Sequence, residues 1–523
     1  MSNPGPPHVV VVGAGIAGLA AAFFLRDVPC RVTVLEGSPR LGGKLAVSEI
    51  AGVAVDEGAE ALLARRPEGT GLAAAAGLAG QLAWPGTTEA RVWSRGRMRP
   101  LPRRQFMGVP ADLTELAAAG LVSAAGLARA RHDLDLPATG RDGDVPVAGF
   151  VAARFGQEVV DRLVDPLLAG VYAGRSEELS FEATLPALAA ESRRHASLAA
   201  AAAALLPGPA GDGGPAPGTG PRSGPPPVFT TLAAGLGTLP GAVAAASGAC
   251  VRTSAMARGL ARAAGGWRLT VGSAHAEEYL LADAVVLAAP AVPVARLLAG
   301  VPGVSAAVTA LQEIRYASMA IATLAYPAAA FPGPLEGSGY VVPAADGRPV
   351  KAVTFSTVKW PHLRDAVGGL VIVRCSLGRI GEEALLQSAD EELAAVAAAD
   401  LASATGARGA PVASRVTRWG GGLPQYTVGH LDRVARIRAA VAGQPGLAVC
   451  GAAYDGIGIP ACVATAQAAV GQIAGYLRDG RQWERHSGRL AGRYGQGPVT
   501  EGTRPQATGR PGDRFPGLAQ GRD

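Results

Sequence analysis

The stretch that most constrains this 523-residue chain lies near its start, where the β-branched run Val9 to Val12 leads straight into Gly13-Ala14-Gly15-Ile16-Ala17-Gly18. A continuous apolar run of this kind suits a central parallel strand buried on both faces. The Ala- and Leu-bearing residues from Gly18 to Leu25 predict a helix, and Arg31 to Leu35 predict a second strand ending at Glu36. Together they form a βαβ unit. Gly13 permits the tight turn, Gly15 lets backbone amides approach a diphosphate, and Gly18 lets the helix pack closely on the strand. The positive end of the helix dipole faces the phosphates. Glu36 is placed to accept hydrogen bonds from an adenosine ribose. A carboxylate there also disfavours a 2′-phosphorylated dinucleotide.

The length suggests two or three domains. Apolar residues make up 49% of the chain and charged residues 17%, a balance that fits a globular enzyme and not a disordered scaffold. The net charge is +6, but the basic residues are scattered and many fall near the C-terminal end, which argues against nucleic acid as a partner. Cys30, Cys250, Cys375, Cys450 and Cys462 form no CxxC pair and no His/Cys cluster. No metal site and no disulfide framework is therefore expected, and the setting is expected to be cytoplasmic. The short polar segment Met1 to Pro7 does not read as a signal peptide. The longest Ala/Leu stretch, Ser197 to Leu206, stops at Pro207, short of the roughly 20 residues a bilayer helix needs. Only peripheral contact with a membrane stays open.

The expected organisation interleaves several domains. Residues 1–90, 228–295 and 421–480 are read as three parts of one dinucleotide-binding domain. Residues 91–206 are read as a largely helical insert facing substrate or membrane, and 296–420 as a sheet-bearing substrate domain. Residues 207–227 form a Pro/Gly-rich flexible loop, and 481–523 a disordered tail.

Pro39-Arg40-Leu41-Gly42-Gly43-Lys44 follows Glu36 within one loop, and its glycine pair offers a second close approach to a diphosphate. This extension resembles the FAD-binding signature of the amine oxidase superfamily. Further segments resemble one branch of it, the protoporphyrinogen/coproporphyrinogen III oxidases, and in particular the Gram-positive coproporphyrinogen III type. They are Asp56-Glu57-Gly58-Ala59-Glu60-Ala61 continuing to Pro67, Asp165-Pro166-Leu167-Leu168-Ala169-Gly170-Val171-Tyr172-Ala173-Gly174, Thr231 to Leu236, and Gly451 to Cys462 with its Gly456-Ile457-Gly458-Ile459-Pro460 core. The likeness runs from about His8 to Leu477 and leaves out the Pro/Gly loop and the tail.

The resemblance implies an α/β fold with a Rossmann-like FAD-binding domain of the amine-oxidase type, a mixed-sheet substrate domain and an inserted helical domain. It implies cofactor contacts from Gly13 to Gly18, Glu36, Gly37, Gly43, Lys44, Gly58, Ala59, Glu60, Ala61, Ala257, Trp419 and Gly456 to Ile459. The free amides opening a helix read from Ala461 to Ala474 support the last placement on physical grounds, since they favour an electron-rich edge. Arg66 matches a basic residue that pairs with a propionate, and Gly170 a glycine whose carbonyl orients a pyrrole N–H. A solvated surface arginine and a glycine relieving a turn are the plainer alternatives. Two departures weaken claims about substrate orientation: Ala59 stands where the family usually has proline, and the segment before Gly170 lacks a charge some relatives carry.

The implied activity is oxygen-dependent oxidation of coproporphyrinogen III to coproporphyrin III in haem biosynthesis, with protoporphyrinogen IX as the alternative substrate. It would proceed by hydride transfer to the flavin in three two-electron steps, each releasing peroxide. No residue is assigned as a catalytic acid or base, because loss of hydride from a carbon flanked by electron-rich pyrroles needs little protein help. A ferrochelatase that takes the product is a conceivable transient partner. The competing readings are an amine oxidase, a carotenoid desaturase, and, from a different class, a non-catalytic porphyrin-binding flavoprotein.

Overall fold

The computed structural model describes residues 5–138, 143–207 and 228–494, with side chains to residue 479. It divides into two units, Met1–Tyr476 and Leu477–Asp523. All the sheets found among the described residues lie in the first.

One sheet is wholly parallel and five-stranded, in the order Cys250–Arg252, Arg31–Leu35, His8–Val12, Ala284–Leu287, Leu447–Val449. Its strands come from all three stretches read as the dinucleotide domain. Val9, Val10 and Val11 are fully buried, as a central strand covered on both faces requires. The helix Ile16–Leu25 follows at once and buries Leu19, Ala20, Ala21 and Leu25. His8 is a core residue: one ring nitrogen meets the Leu281 carbonyl and the other the Thr33 hydroxyl.

The second sheet has seven strands, in the order Ala413–Pro424, Tyr316–Pro327, Leu370–Leu377, Val350–Phe355, Gly339–Val341, Arg91–Ser94, Arg97–Pro100. It is mixed, since Gly339–Val341 runs parallel to Arg91–Ser94 while the other pairs are antiparallel. Here two boundaries need correction. Residues 91–100 do not open the helical insert; they are a hairpin completing this sheet, and the last strand of the sheet runs past residue 420 to Pro424. Arg95 and Gly96 both take positive φ, 53° and 71°, the primed turn whose twist suits two right-twisted strands. Three of the arginines here form ion pairs, Arg91 with Glu336, Arg95 with Glu158 and Arg103 with Glu89.

The insert proper packs short helices around their own core, with Phe150 and Phe181 rings 4.5 Å apart. The stretch from Asp112 to Ala130 breaks into Leu113–Ala119 and Ala124–Arg131 because Gly120 turns left-handed at φ 62°. Asp133 and Arg154 form a buried pair, and the Asp133 carboxylate also accepts the Leu198 and Ala199 amides that open the helix Leu198–Ala204. Removing one partner strands the other charge in the core. Asp133→Ala is therefore expected to cost ~3–5 kcal/mol, read as a lowered urea midpoint.

The tail also needs correction at its near end. The last helix runs Ile459–Tyr494, because extending a formed helix adds one hydrogen bond per residue and needs no new nucleus. Residues 495–523, and all of the 207–227 loop except Pro207, lie outside the described residues.

Candidate cofactor and substrate site

In the first glycine loop two glycines are required by the fold and one is not. Gly13 sits at φ 105°, donates to the Leu35 carbonyl at 2.7 Å, and a Cβ on it would lie 2.8 Å from the Ala288 oxygen. A Cβ on Gly18 would lie 1.9 Å from the Gly13 oxygen. Gly15 has an ordinary φ of −70°, and a Cβ there would meet nothing within 4 Å. Neither backbone conformation nor packing demands glycine at that position. The second glycine pair reaches the same spot, since the Gly42 amide donates to the Ala14 carbonyl at 2.9 Å and a Cβ on Gly43 would lie 3.4 Å from the Gly15 Cα. Ile16 and Ala17 open the helix above them.

Glu36 is held by two backbone amides, Ala14 at 2.8 Å and Ser38 at 2.9 Å, one on each carboxylate oxygen. Each oxygen keeps further acceptor capacity, which matches a vicinal diol. Gly37 lies under the Met256 side chain. Ala257 begins the strand Ala257–Ala263 just beyond Ala255, whose amide donates to the Glu36 carbonyl.

Further along, Gly58 is pinned between Lys44 and Trp419. A Cβ on it would fall 2.0 Å from the Lys44 carbonyl and 3.1 Å from the Trp419 ring, and the Trp419 indole donates to the Glu57 carbonyl at 3.0 Å. Burial lowers the Lys44 pKa, and among the described residues its ammonium has no hydrogen-bond or ion-pair partner. The Glu60 side chain turns away from this groove, to Lys359 at 2.7 Å and Arg374 at 2.6 Å. Arg374 also donates to the Gly58 carbonyl. The Glu60 carboxylate, with Ala59 and Ala61 beside it in the chain, is thus committed to this cluster.

At the opposite end Gly456 stands at φ 138°, where a Cβ would lie 2.8 Å from that of Ala461. Ile457 and Gly458 lead into the helix beginning at Ile459. Pro460 and Ile459 pack against Gly69 of the helix Pro67–Ala73. Arg66 caps that helix at the surface and pairs with Glu68 at 2.5 Å. Gly170 is exposed on the helix Asp165–Tyr172, and a Cβ there would meet nothing within 4 Å. Glycine weakens a helix by roughly 0.5–1 kcal/mol, so an open glycine in one again suits close approach by a ligand.

The family pattern described as flavin-containing amine oxidoreductase matches residues 16–474. The chain belongs to that family. It is 38% identical over 475 residues to a coproporphyrinogen III oxidase of Mycobacterium bovis, covering 90% of this chain and 97% of that one. It is 31% identical over 491 residues to a coproporphyrinogen III oxidase of Bacillus subtilis, covering 91% and 99%. A solved structure from Exiguobacterium sp. 255-15, a candidate protoporphyrinogen oxidase, superposes with a TM-score of 0.77 at 29% identity, covering 90% and 98%. The fold is that of the amine-oxidase type, and the cofactor is FAD. The residues present fit it: an open glycine cradle, a half-satisfied carboxylate and a lysine ammonium without a partner.

Around the far end of this flavoprotein's groove, protons are hard to move. Burial pushes the Tyr172 phenol to about 12 and the Cys462 thiol to about 11, and holds the His430 imidazole at about 4. All three are neutral near pH 7. Arg374, Lys359, Gln425 and Tyr426 went unnoticed in the sequence. Arg374 carried a usable signal, since an arginine inside the apolar strand Leu-Val-Ile-Val-Arg-Cys-Ser-Leu must find a partner if it is buried.

Proposed function

We propose that this chain oxidises coproporphyrinogen III to coproporphyrin III, with FAD as cofactor and molecular oxygen as final acceptor. The observation that carries this reading is its likeness, over nine-tenths of its length, to two coproporphyrinogen III oxidases. Gly13 to Gly18 and Gly43 bind the diphosphate through backbone amides, and Glu36 takes the ribose hydroxyls. Lys44, Gly58 to Ala61, Trp419 and Gly456 to Ile459 line the flavin, and the backbone at Ala257 meets the adenine. Bound FAD supplies a hydride acceptor and passes electron pairs to oxygen as peroxide.

The protein's task is to hold one saturated bridging carbon of the macrocycle at that acceptor. Gly170 orients a pyrrole N–H, and Arg66 takes a propionate at the surface. Arg66 gives up little to do so, because an exposed pair such as that with Glu68 contributes only ~0–1 kcal/mol. Three rounds remove six electrons. No side chain serves as a base, in keeping with the neutral, proton-inert groups at the far end of the groove.

The Exiguobacterium structure favours protoporphyrinogen IX as the second reading. Both are tested by giving the FAD-loaded protein each porphyrinogen under air and following porphyrin fluorescence together with peroxide. Coproporphyrin should form faster, with three peroxides for each porphyrin. A preference for protoporphyrinogen IX would select the second reading, and porphyrin formation from neither would end both.

Among the described residues no helix is long and apolar enough to cross a membrane. Contact with a membrane surface, a cytoplasmic setting and hand-over of product to a ferrochelatase belong to this proposal.

A further inference from the structure

Gln425 and Tyr426 follow directly on Ala413–Pro424, the last strand of the second sheet. Both are buried, at 2% and 1% exposure. The Tyr426 hydroxyl donates to the Ala452 carbonyl at 2.7 Å and accepts the Gly456 amide at 2.8 Å. One oxygen thereby closes the loop Ala452–Gly456 immediately before Gly456 to Ile459. The ring is fixed as well: it stacks on His430 at 3.8 Å and 14°, and lies 5.7 Å from the Tyr172 ring.

Gln425 makes the complementary tie. Its side-chain amide donates to the Tyr172 carbonyl at 2.8 Å, at the end of the helix that carries Gly170, and to the Leu423 carbonyl at 3.0 Å. A Cβ on Gly174 would lie 2.2 Å from the Gln425 side-chain oxygen. This accounts for the glycine that ends the Gly170 to Gly174 motif. The backbone joins in, as the Ser180 amide donates to the Tyr426 carbonyl at 2.8 Å.

We propose that Gln425 and Tyr426 are paired positioning residues, Tyr426 fixing the amides at the flavin-ring end and Gln425 fixing the substrate helix, so that together they set the separation between flavin and porphyrinogen. The inference rests on the reading of Gly456 to Ile459 as the flavin-ring loop. Neither residue touches substrate. Each acts on a different partner, so removing each should disturb a different measurable quantity.

Tyr426→Phe keeps the stacked ring and loses both hydroxyl hydrogen bonds. Without the hydroxyl to hold it, the Gly456 amide should exchange about ten-fold faster. Anaerobic reduction of bound FAD by porphyrinogen should slow by a similar factor, with KM little changed. Gln425→Leu should do the reverse, raising KM several-fold while leaving Gly456 exchange and the FAD midpoint potential as in the wild type. The two variants back each other should either fail to fold.

That division of effects between the two variants supports the proposal. Equal losses in both variants that follow their melting temperatures would reduce the pair to ordinary packing and overturn it. So would wild-type exchange and reduction in Tyr426→Phe. A wild-type protein that turns over normally beside such variants would leave the proposed function intact, whereas a wild type that never takes up FAD would remove both.

Discussion

Gly15→Ala is expected to fold normally and to hold FAD ten- to a hundred-fold more weakly. The added methyl meets no protein atom within 4 Å, and φ at −70° suits alanine as well as glycine. The apoprotein should even gain ~0.4–1 kcal/mol, because alanine restricts the unfolded chain. The methyl would fill the space in which a diphosphate approaches the amides after Gly15. Losing one charge-assisted hydrogen bond there costs ~1.5–3 kcal/mol, which gives the quoted range in Kd.

Gly18→Ala provides the contrast. Its Cβ would collide with the Gly13 carbonyl at 1.9 Å, so the turn must shift and folding itself should suffer. Apoprotein melting curves with FAD titration by fluorescence quenching separate the two cases. Wild-type FAD affinity in Gly15→Ala would mean that the diphosphate lies elsewhere.

The opening βαβ unit could be read from sequence because its determinants are local. Val9 to Val12, three glycines and Glu36 fall within one βαβ unit, and the strand Arg31–Leu35 forms over the residues its pattern marks. The hairpin Arg91–Pro100 stayed hidden because its arginines alternate with Val92, Trp93 and Met98 too irregularly to read as a strand, although Arg95-Gly96 is a usable turn. Within the stretch read as a helical insert, the break at Gly156, where φ reaches 91°, was also hidden. The second half of the site was illegible for another reason. Glu60 and Arg374 are 314 positions apart, and the Tyr426 hydroxyl meets the Gly456 amide 30 positions on. No periodicity within a single element encodes such partners.

Arg374→Met is expected to destabilise the protein by ~3–5 kcal/mol, because it leaves the Glu60 carboxylate buried with half its compensation. It also frees the Gly58 carbonyl, so FAD retention should fall with stability. The pH dependence identifies the cause. Burial alone would raise the Glu60 carboxyl, but the Lys359 ammonium and the Arg374 guanidinium outweigh it and hold it at about 2. A depressed carboxyl contributes stability that is present above its ordinary value of 4.5 and is lost as pH falls through about 2.

Asp56 in the same cluster has the opposite sign. Burial raises it to about 6, against the Leu236 and Gly237 amides it accepts and the nearby Arg374. Its contribution is full below its ordinary value of 3.8 and is lost as pH rises through about 6. The wild type should therefore gain from Asp56 on going from about pH 7 to 5, then lose from Glu60 below about 4.5. Glu60→Gln should flatten the acid limb and also soften the limb near neutrality, because its charge helps to raise Asp56, whereas Asp56→Asn should flatten the limb near neutrality and keep the acid limb. Urea midpoints at about pH 7, 5 and 3.5 measure both. An unchanged acid limb in Glu60→Gln would show that the Glu60, Lys359 and Arg374 cluster does not brace the Gly58 loop.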